Sequence, residues 1–415
     1  MNVLMGAAKR ERAAFYKTAA ALVETGVIAL IIGEIAAAKF TPQLLAPPRT
    51  HFRNYTPACF VPSDTLPYDI MPHCRDRIIA RDFRISFNTN NLGFRDDDVA
   101  PKKENEFRIL VVGDSFTAGW GVEQDDAFPN VLERMLNERS AGGAVFNVIN
   151  AGYQAQTFDT YYLFLKNEGL ALNPDLVVVT IWLGNDLVEL YSNFWDGLDS
   201  RGLPLKIDGY NRIRKNHHMV LRYVPFKYRY WPLNRSHLFV FLMGMYEWKI
   251  LKGHVTGIFG ELNDEYREKY RRDCRVLERF HGGAGPGVAL EEVKACPMIP
   301  YPDNKPEYAK YTWLKTAATL EAISSLAKEN GAGIYFMNIP VRTYDAKRGC
   351  HLSLIRKLMK NIGAPFLDLT PRFGLPSGKI DQKYYYVNDG HFMREGQRII
   401  AGEMRLDMLK RGILH

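Results

Sequence analysis

Short, unbroken apolar runs that alternate with helical patterns constrain the fold of this chain most. The most apolar run is DLVVVTIW at 175–182, and similar runs lie at 107–112, 145–149, 333–339 and 365–369. Helical patterns separate or follow them, at 127–139, 157–168, 309–330, 351–362 and 394–411. Strands that are apolar on both faces and alternate with helices are typical of a parallel sheet covered on both sides. The pattern therefore predicts an α/β fold.

Polar and glycine residues follow these predicted strands. Ligands of open parallel sheets bind at the carboxyl ends of the strands, so these positions are the first place to look for a site. The segments in question are Gly113-Asp114-Ser115-Phe116, Asn150-Ala151-Gly152 and Gly184-Asn185-Asp186, with Asp389-Gly390-His391 before the last helix.

These residues can perform nucleophilic catalysis. A serine hydroxyl such as that of Ser115 is a weak nucleophile until a base takes its proton, and His391 can be that base. Asp389 can orient the imidazole and stabilise its cation. Developing oxyanion charge needs aimed donors, and the backbone N–H groups of Ser115 and Gly152 and the amide of Asn185 are candidates.

In this order, the four segments resemble the blocks of the SGNH/GDSL hydrolase superfamily. The resemblance covers 105–190 and 310–412, and Asn91-Leu92-Gly93-Phe94-Arg95-Asp96 is similar to the segment that precedes the first block in membrane-anchored bacterial members. It implies a flavodoxin-like, three-layer α/β/α fold and hydrolysis or transfer of acyl esters. The catalytic residues would be Ser115, Asp389 and His391, and the oxyanion hole Ser115, Gly152 and Asn185. Members act on lipids, acylated glycans and other esters, so the family leaves the substrate open.

The chain departs from the family pattern at the triad acid. The family commonly places its aspartate three residues before the histidine, where this chain has Asn388, whereas Asp389 lies two before. We assign Asp389 to the triad. The alternative is a Ser115–His391 dyad in which a backbone carbonyl orients the imidazole.

Other catalytic motifs do not fit. An α/β-hydrolase elbow needs Gly-x-Ser-x-Gly, but residue 117 is Thr. No P-loop or Rossmann fingerprint is present, and adjacent His217 and His218 would face different directions on a helix. We expect neither a cofactor nor a metal. Asp114 and Asp186 also have structural interpretations, as a cap of the first helix and as a backbone acceptor.

The net charge of +8 is concentrated in two segments. Residues 1–17 contain four Lys and Arg against one Glu, and they precede an apolar stretch at 18–40. About 20 apolar residues span a bilayer, and preceding cations indicate a cytoplasmic N-terminus. We predict a single-pass signal anchor in a bacterial inner membrane, with the catalytic domain facing the periplasm or outside. Glu24 and Glu34 near its ends weaken this prediction. A cleaved signal peptide and an amphipathic helix of a soluble protein are the alternatives.

The second basic segment lies in a predicted insertion. Residues 206–255 contain ten Lys and Arg against two acidic residues, and 204–255 contain ten aromatic residues. The apolar run 238–246 is too short to span a bilayer but could lie in a membrane interface. We expect either a membrane-facing lid at about 223–252, or a wall of the acyl pocket, over Ser115. The alternative is an ordinary buried helix with solvated Lys and Arg around it. A nucleic-acid partner is not expected.

The domain prediction follows from these patterns. Residues 1–40 are the tail and anchor, 41–104 a linker and N-terminal extension, 105–190 with 306–415 the hydrolase domain, and 191–305 the insertion. The five cysteines leave at least one unpaired, and Cys59–Cys74 and Cys274–Cys296 are the candidate disulfides.

The leading hypothesis is a membrane-anchored serine esterase that hydrolyses or transfers acyl groups, such as O-acetyl, on an envelope glycan or lipid. The alternative is a catalytically inactive SGNH-like binding module in an envelope assembly.

Overall fold

A computed structural model describes most of the chain. The residues described are 2–41, 59–61, 63–80, 82–138, 143–207, 233–243, 245, 264–281, 288–296, 306–342 and 346–414. The chain divides into two compact units, one formed by Met1–Phe52 and Val224–Thr256, the other by Arg53–Tyr223 and Gly257–His415. Much of the predicted basic insertion, at 208–232 and 246–263, lies outside the described residues.

Helices and strands alternate through the larger unit. The strands are β1 (Phe60–Val61), β2 (Asp69–Ile70), β3 (Arg75–Ile79), β4 (Arg84–Asn88), β5 (Glu106–Gly113), β6 (Val145–Gly152), β7 (Leu176–Ile181), β8 (Trp195–Leu198), β9 (Pro204–Ile207), β10 (Gly333–Asn338) and β11 (Phe366–Asp368). The α-helices are α1 (Asn2–Phe40), α2 (Phe128–Asn137), α3 (Phe158–Asn167), α4 (Asp186–Ser192), α5 (237–243), α6 (Asp264–His281), α7 (Leu290–Ala295), α8 (Pro306–Glu329), α9 (Ala346–Ile362), α10 (Thr370–Phe373) and α11 (Arg394–Lys410). Short 3₁₀ helices lie at Gln124–Asp126, Gly169–Leu172, Leu233–Arg235 and Gln382–Tyr384.

Five parallel strands form the central sheet, in the order β11-β10-β7-β5-β6. Counted along the chain, this is the flavodoxin-like order 2-1-3-4-5, which reverses direction beside the first strand. The predicted α/β fold is therefore confirmed. All five predicted strands and the five predicted helices are present, with boundaries shifted by a few residues.

Two hydrophobic cores lie on opposite faces of this sheet. Successive side chains of a strand point to opposite faces, so Val177 and Val179 of β7 enter one core and Val178 enters the other. Helices α3, α8 and α9 cover the first face, and α2 and α11 cover the second. Because both faces are buried, the strand sequences are continuously apolar, and the result is the expected three-layer arrangement.

The N-terminal extension packs on the first core. Cys59, Phe60 and Leu66 are buried there, whereas 42–58 of the predicted linker lie outside the described residues. Strands β3 and β4 form an antiparallel hairpin in this extension, and a disulfide joins Cys59 to Cys74 just before β3. The extension is thus built into the larger unit before the sheet begins.

The second candidate disulfide is wrong. Cys296 pairs with Cys350, with the two Cα atoms 5.8 Å apart, and Cys274 is unpaired. Cys296 directly follows α7 and Cys350 lies in α9, so the bridge joins two elements that the sequence separates by 54 residues. Burial raises the pKa of the Cys274 thiol to about 11, which keeps it protonated and unreactive.

In the smaller unit, Glu34 of α1 caps α5. Its carboxylate accepts hydrogen bonds from Ser236 Oγ at 2.6 Å, His237 N at 2.8 Å and Leu238 N at 2.9 Å. Helix N-termini have free N–H groups that favour a negative charge, so this carboxylate has a structural partner. A Cβ added at Gly33 would lie 2.8 Å from Leu238 Cδ2, so glycine permits the close approach of α5 to α1.

A buried polar cluster fixes the start of the insertion to the sheet domain. Lys315 of α8 is fully buried, donates to the carbonyl oxygens of Leu190 (3.0 Å) and Asn193, and lies 4.5 Å from the Trp195 ring centroid. Asp159 of α3, also buried, accepts from Trp195 Nε1 at 2.8 Å and Asn193 Nδ2 at 2.9 Å. The chain that leaves α4 is therefore held by charged groups from two helices.

Replacing Lys315 with Met should destabilise the protein. The change removes the donors to two buried carbonyl groups and leaves those groups unsatisfied. We expect the free energy of unfolding to fall by about 3 kcal/mol in urea denaturation. Lys357→Met is the matched control, because Lys357 forms an exposed ion pair with Glu292 and should change stability by less than about 1 kcal/mol. Equal effects of both substitutions would contradict the role assigned to the cluster.

Candidate active site

Ser115 lies on a tight turn at the carboxyl end of β5. The Asp114 carboxylate accepts from Phe116 N at 2.9 Å and closes the turn, and Gly119 and Gly121 adopt positive φ angles of 71° and 98°. A helix cannot continue through these two glycines, so α2 begins only at Phe128. The expectation that Asp114 caps the first helix is therefore wrong, because Asp114 caps the turn instead.

The structure brings Ser115, His391 and Asp389 into hydrogen-bond contact. Ser115 Oγ lies 2.7 Å from His391 Nε2, and His391 Nδ1 lies 2.5 Å from Asp389 Oδ1. The same Asp389 oxygen accepts the backbone N–H of His391 at 3.3 Å. The carboxylate thus faces the imidazole despite the two-residue spacing, and the arrangement is that of an acid–base–nucleophile triad rather than a dyad.

Aromatic rings enclose the imidazole. The Phe116 ring centroid lies 4.6 Å from that of His391, and the Trp120 centroid lies 6.3 Å away. Phe116 in turn contacts Trp182 at 4.5 Å and Phe392 at 5.6 Å. These contacts restrict the ring rotation of His391, so its Nε2 stays directed toward Ser115.

Gly152 is placed beside the nucleophile turn by strand pairing. It is the last residue of β6 and pairs in register with Gly113, the last residue of β5. A Cβ at position 152 would lie 2.2 Å from Ala118 N, so only glycine allows this approach. Its N–H donates to Asn150 Oδ1 at 3.2 Å, a long bond that an oxyanion would have to share or replace.

Asn185 follows β7 and stands at the N-cap position of α4. Its side chain makes no capping hydrogen bond, and its Oδ1 is buried with no hydrogen-bond partner among the described residues. An N-cap side chain that does not cap its helix is free for another role. The next residue, Asp186, accepts from Trp182 N at 2.6 Å, so the structural interpretation of Asp186 as a backbone acceptor is confirmed.

Two buried carboxyl groups lie beneath this edge. Burial raises the pKa of Asp114 to about 6, with the charge of His391 opposing the shift, and burial also raises the pKa of Asp186 well above its ordinary value. Each carboxyl opposes ionisation of the other. The interior beside the triad is therefore poor in water, which strengthens electrostatic interactions there.

Arg95 is a site-forming residue whose role the sequence did not reveal. It is buried, and its guanidinium donates to the carbonyl oxygens of Ala118 (3.0 Å), Gly119 (2.7 Å) and Val122 (2.5 Å). Burial lowers its pKa to about 10, which leaves it charged at neutral pH. The backbone of the turn after Ser115 is therefore fixed by one cation from the N-terminal extension.

Asp96 fixes the backbone at the end of β6 in a similar way. Its carboxylate accepts from Asn150 N at 2.8 Å and from Asn130 Nδ2 at 2.6 Å, and so joins the end of β6 to α2. The only sequence signal for Arg95 and Asp96 was the resemblance of 91–96 to a family segment. Within the described part of the chain, no group of three or more His, Cys, Asp or Glu residues is arranged to hold a metal ion.

The sheet order and the four loops at one edge match what the resemblance implied. The chain has the flavodoxin-like, three-layer α/β/α architecture that the resemblance implied. Comparison with solved structures gives matches at low identity. The psychrotrophic esterase EstA from Pseudoalteromonas sp. is 11% identical, with a TM-score of 0.37, and the match covers 74% of this chain and 100% of that one.

Two further matches are similar in extent. A GDSL-like lipase from Bacteroides thetaiotaomicron is 13% identical (TM-score 0.35; 75% of this chain, 92% of that one). The acetylxylan esterase Axe2 from Geobacillus stearothermophilus, solved as a catalytic mutant, is 11% identical (TM-score 0.36; 72% and 93%). No family model and no curated protein matches the chain.

Replacing Asp96 with Asn should stabilise the protein in a pH-dependent way. Burial raises the pKa of Asp96 from 3.8 to about 7, so the folded state disfavours the charged form. The free-energy cost of ionising Asp96 in the folded state is absent below about pH 4 and reaches its full value above about pH 7. We expect the variant to gain roughly 2 kcal/mol over wild type at pH 8 and almost nothing at pH 4, measured by urea denaturation at each pH.

The amide introduced by Asp96→Asn can still accept from Asn150 N, and it can donate to Asn130 Oδ1 once the Asn130 side-chain amide turns over. The control is Asp196→Asn, because Asp196 is an exposed carboxylate 3.2 Å from Lys206. A gain from Asp96→Asn that is the same at both pH values would show that the carboxyl is not titrating as described.

Proposed function

We propose that this chain is a membrane-anchored serine esterase of the SGNH type. The observation that carries the proposal is the chain of contacts from Ser115 Oγ through His391 to the Asp389 carboxylate, at 2.7 and 2.5 Å. The distance from Ser115 Oγ to His391 Nε2 lies in the range that general-base activation of a serine requires.

The geometry supports a two-step acyl transfer. Ser115 Oγ attacks the ester carbonyl carbon while its proton moves to His391 Nε2, and Asp389 stabilises the imidazolium. The N–H groups of Ser115 and Gly152 and the Asn185 amide would donate to the oxyanion. The ester C–O bond then breaks, and the leaving alcohol takes the proton from His391. Water or another hydroxyl group attacks the acyl-serine in the second step and regenerates Ser115.

The substrate that we propose is an acyl ester on an envelope glycan or lipid, with O-acetyl as the smallest acyl group. The compartment in which the disulfides of this chain would persist supports this choice of substrate. The described residues contain two disulfides, Cys59–Cys74 and Cys296–Cys350, which persist in oxidising compartments outside the cytoplasm. A triad on that side of a membrane would meet acylated envelope components.

The membrane attachment that we propose rests on α1. Tyr16–Phe40 is long and apolar enough to cross a bilayer, with a mean hydropathy of 1.9, although a signal sequence passes the same test. Its apolar side chains, such as Leu22, Ile28 and Ile32, are exposed. Exposed apolar rows of this length are expected to contact lipid.

We also propose that α5 lies against the anchor at the membrane interface. Glu34, which would be costly inside a bilayer without a partner, caps α5 through three hydrogen bonds, and Ala37, one turn further along α1, is buried. Val240 of α5 is buried, whereas Leu242 is exposed. A helix that is held by the anchor and presents an apolar side chain outward suits an interface.

Replacing Ser115 with Ala should abolish ester hydrolysis. The full-length chain, purified in detergent, is assayed with p-nitrophenyl acetate and longer acyl esters. We expect kcat to fall by at least about 10³-fold, because the nucleophile is lost while binding remains. Ser377→Ala, at an exposed turn, is the control and should match wild type.

This experiment also separates the esterase from a catalytically inactive binding module. An esterase should be labelled by a fluorophosphonate at Ser115, as read by mass spectrometry of the peptide. Absence of labelling, together with equal rates for wild type and Ser115→Ala, would sink the esterase proposal and favour the binding module.

The contact between α1 and α5 predicts a specific disulfide. Gly33→Cys together with Leu238→Cys should cross-link in membrane vesicles under mild oxidation, because the side chain at 33 would touch Leu238. Adding Glu34→Ala should reduce the cross-linked fraction severalfold, since α5 loses its cap.

The matched control places the first cysteine at Gly26, two turns away on α1, where an added Cβ would meet nothing within 4 Å. A Gly26→Cys, Leu238→Cys protein that cross-links as readily as the 33–238 pair would refute the packing.

A further inference from the structure

The loop that carries Asp389 and His391 has its tip at the surface, whereas Tyr385 and Phe392 at its two ends are buried in the second hydrophobic core. It connects the 3₁₀ helix Gln382–Tyr384 to α11, and its residue Val387 is 76% exposed. Asn388 is exposed as well. Catalysis nevertheless requires the imidazole to keep its place within about 0.5 Å, and a displacement of about 1 Å can cost about 10²-fold in rate. Hydrogen bonds from other elements must therefore hold this loop.

Asp82 of the N-terminal extension supplies three of these bonds. It lies in the turn between β3 and β4, 306 residues before Asn388. Its Oδ2 accepts the backbone N–H groups of Asn388 at 2.7 Å and Asp389 at 2.9 Å. Its Oδ1 accepts from Asn388 Nδ2 at 2.5 Å. A carboxylate that accepts three N–H groups forms short, charge-assisted hydrogen bonds.

The neighbouring contacts hold the same loop from other sides. Phe83 places its ring 5.1 Å from that of Tyr386, and the Tyr386 hydroxyl donates to Gly121 O at 2.9 Å. Arg342 Nη1 donates to the carbonyl oxygens of Tyr386 and Val387, both at 2.8 Å. Asp82 thus accepts hydrogen bonds from N–H groups of the loop, while Arg342 donates hydrogen bonds to its carbonyl groups.

We propose that Asp82 is a positioning residue for the catalytic triad, holding Asp389 and His391 in register with Ser115 through the backbone of Asn388 and Asp389. The inference rests on the proposed esterase function. It also explains the residue at position 388, where the family commonly has its acid. A carboxylate there would stand against the carboxylate of Asp82, whereas the amide of Asn388 donates to it.

Substitutions at both ends of the pair test this role. Asp82→Ala removes both acceptor oxygens and with them all three hydrogen bonds. We expect kcat to fall about 10- to 100-fold while KM stays within about twofold, because the triad is displaced but the substrate contacts remain. Asn388→Asp places two carboxylates together and should lower kcat to a similar extent. Both are measured on the full-length chain in detergent with p-nitrophenyl acetate.

The exchanged pair, Asp82→Asn with Asn388→Asp, is the decisive variant. The amide introduced at position 82 can accept both backbone N–H groups through its oxygen and donate through its nitrogen to the new carboxylate. We expect kcat to be at least about tenfold above that of Asn388→Asp alone, which corresponds to recovery of most of the loss. If Asp82 only stabilised the fold, its loss would lower the unfolding midpoint and the fraction of active protein, and kcat would not recover in the exchanged pair. The unfolding midpoint is therefore measured for every variant.

The outcomes are distinguishable. Wild-type kcat for Asp82→Ala, or no recovery in the exchanged pair, overturns the role of Asp82 and leaves the esterase in place. If the wild-type protein hydrolyses the ester no faster than Ser115→Ala, the proposed esterase function is refuted, and the role of Asp82 is refuted with it. Asp196→Ala, which removes an exposed carboxylate in β8, is the control and should leave kcat unchanged.

Discussion

The close pairing of the ends of β5 and β6 sets the geometry on which the rest of the site depends. Gly113 and Gly152 are partners in the sheet, and no side chain fits between Gly152 and the backbone at Ala118. The nucleophile turn and the second loop therefore meet at backbone distance, which lets an N–H group of one loop reach a charge that forms at the other. If the proposed esterase function is correct, this constraint holds for any acyl group, because it is a backbone contact.

Polar backbone groups at this tightly packed end of the sheet are buried away from water. Buried charged side chains form hydrogen bonds with them. Arg95 binds three carbonyl groups of the turn that follows Ser115, and Asp96 binds the N–H of Asn150 at the neighbouring strand end. These two residues are consecutive in the chain, so one short segment of the extension supplies a guanidinium to one loop and a carboxyl group to the next. Buried charges are costly unless paired or hydrogen-bonded, so they hold both loops firmly only while the full set of contacts is present.

The sequence predicted the central sheet well, because strands buried on both faces have to be apolar throughout and are therefore visible as continuous runs. It also predicted the positions of the candidate site residues in the fold, since Ser115, Gly152, Asn185 and His391 each follow a strand or precede the last helix. The extension was harder to predict. Strands β1 and β2 are two residues long, and the contact from Asp82 to Asn388 joins positions 306 residues apart that no local pattern links. The pairing of Cys296 with Cys350 rather than with Cys274 was missed for the same reason, since only the packed helices bring those residues together.

The two-residue spacing of the triad acid has a local explanation in Gly390. One oxygen of Asp389 accepts both the backbone N–H and the imidazole Nδ1 of His391, which folds the acid tightly back over the residue between them. That residue, Gly390, has φ of +89°, a conformation that glycine adopts without steric cost. A residue with a side chain would strain the turn and favour a more open loop. Two features together thus allow the two-residue spacing between Asp389 and His391. Glycine makes the reversal of the backbone possible inside the loop. In the role that we propose for it, Asp82 holds the loop from outside. Together they place the carboxylate of Asp389 against the imidazole from a position one residue nearer than the family commonly uses.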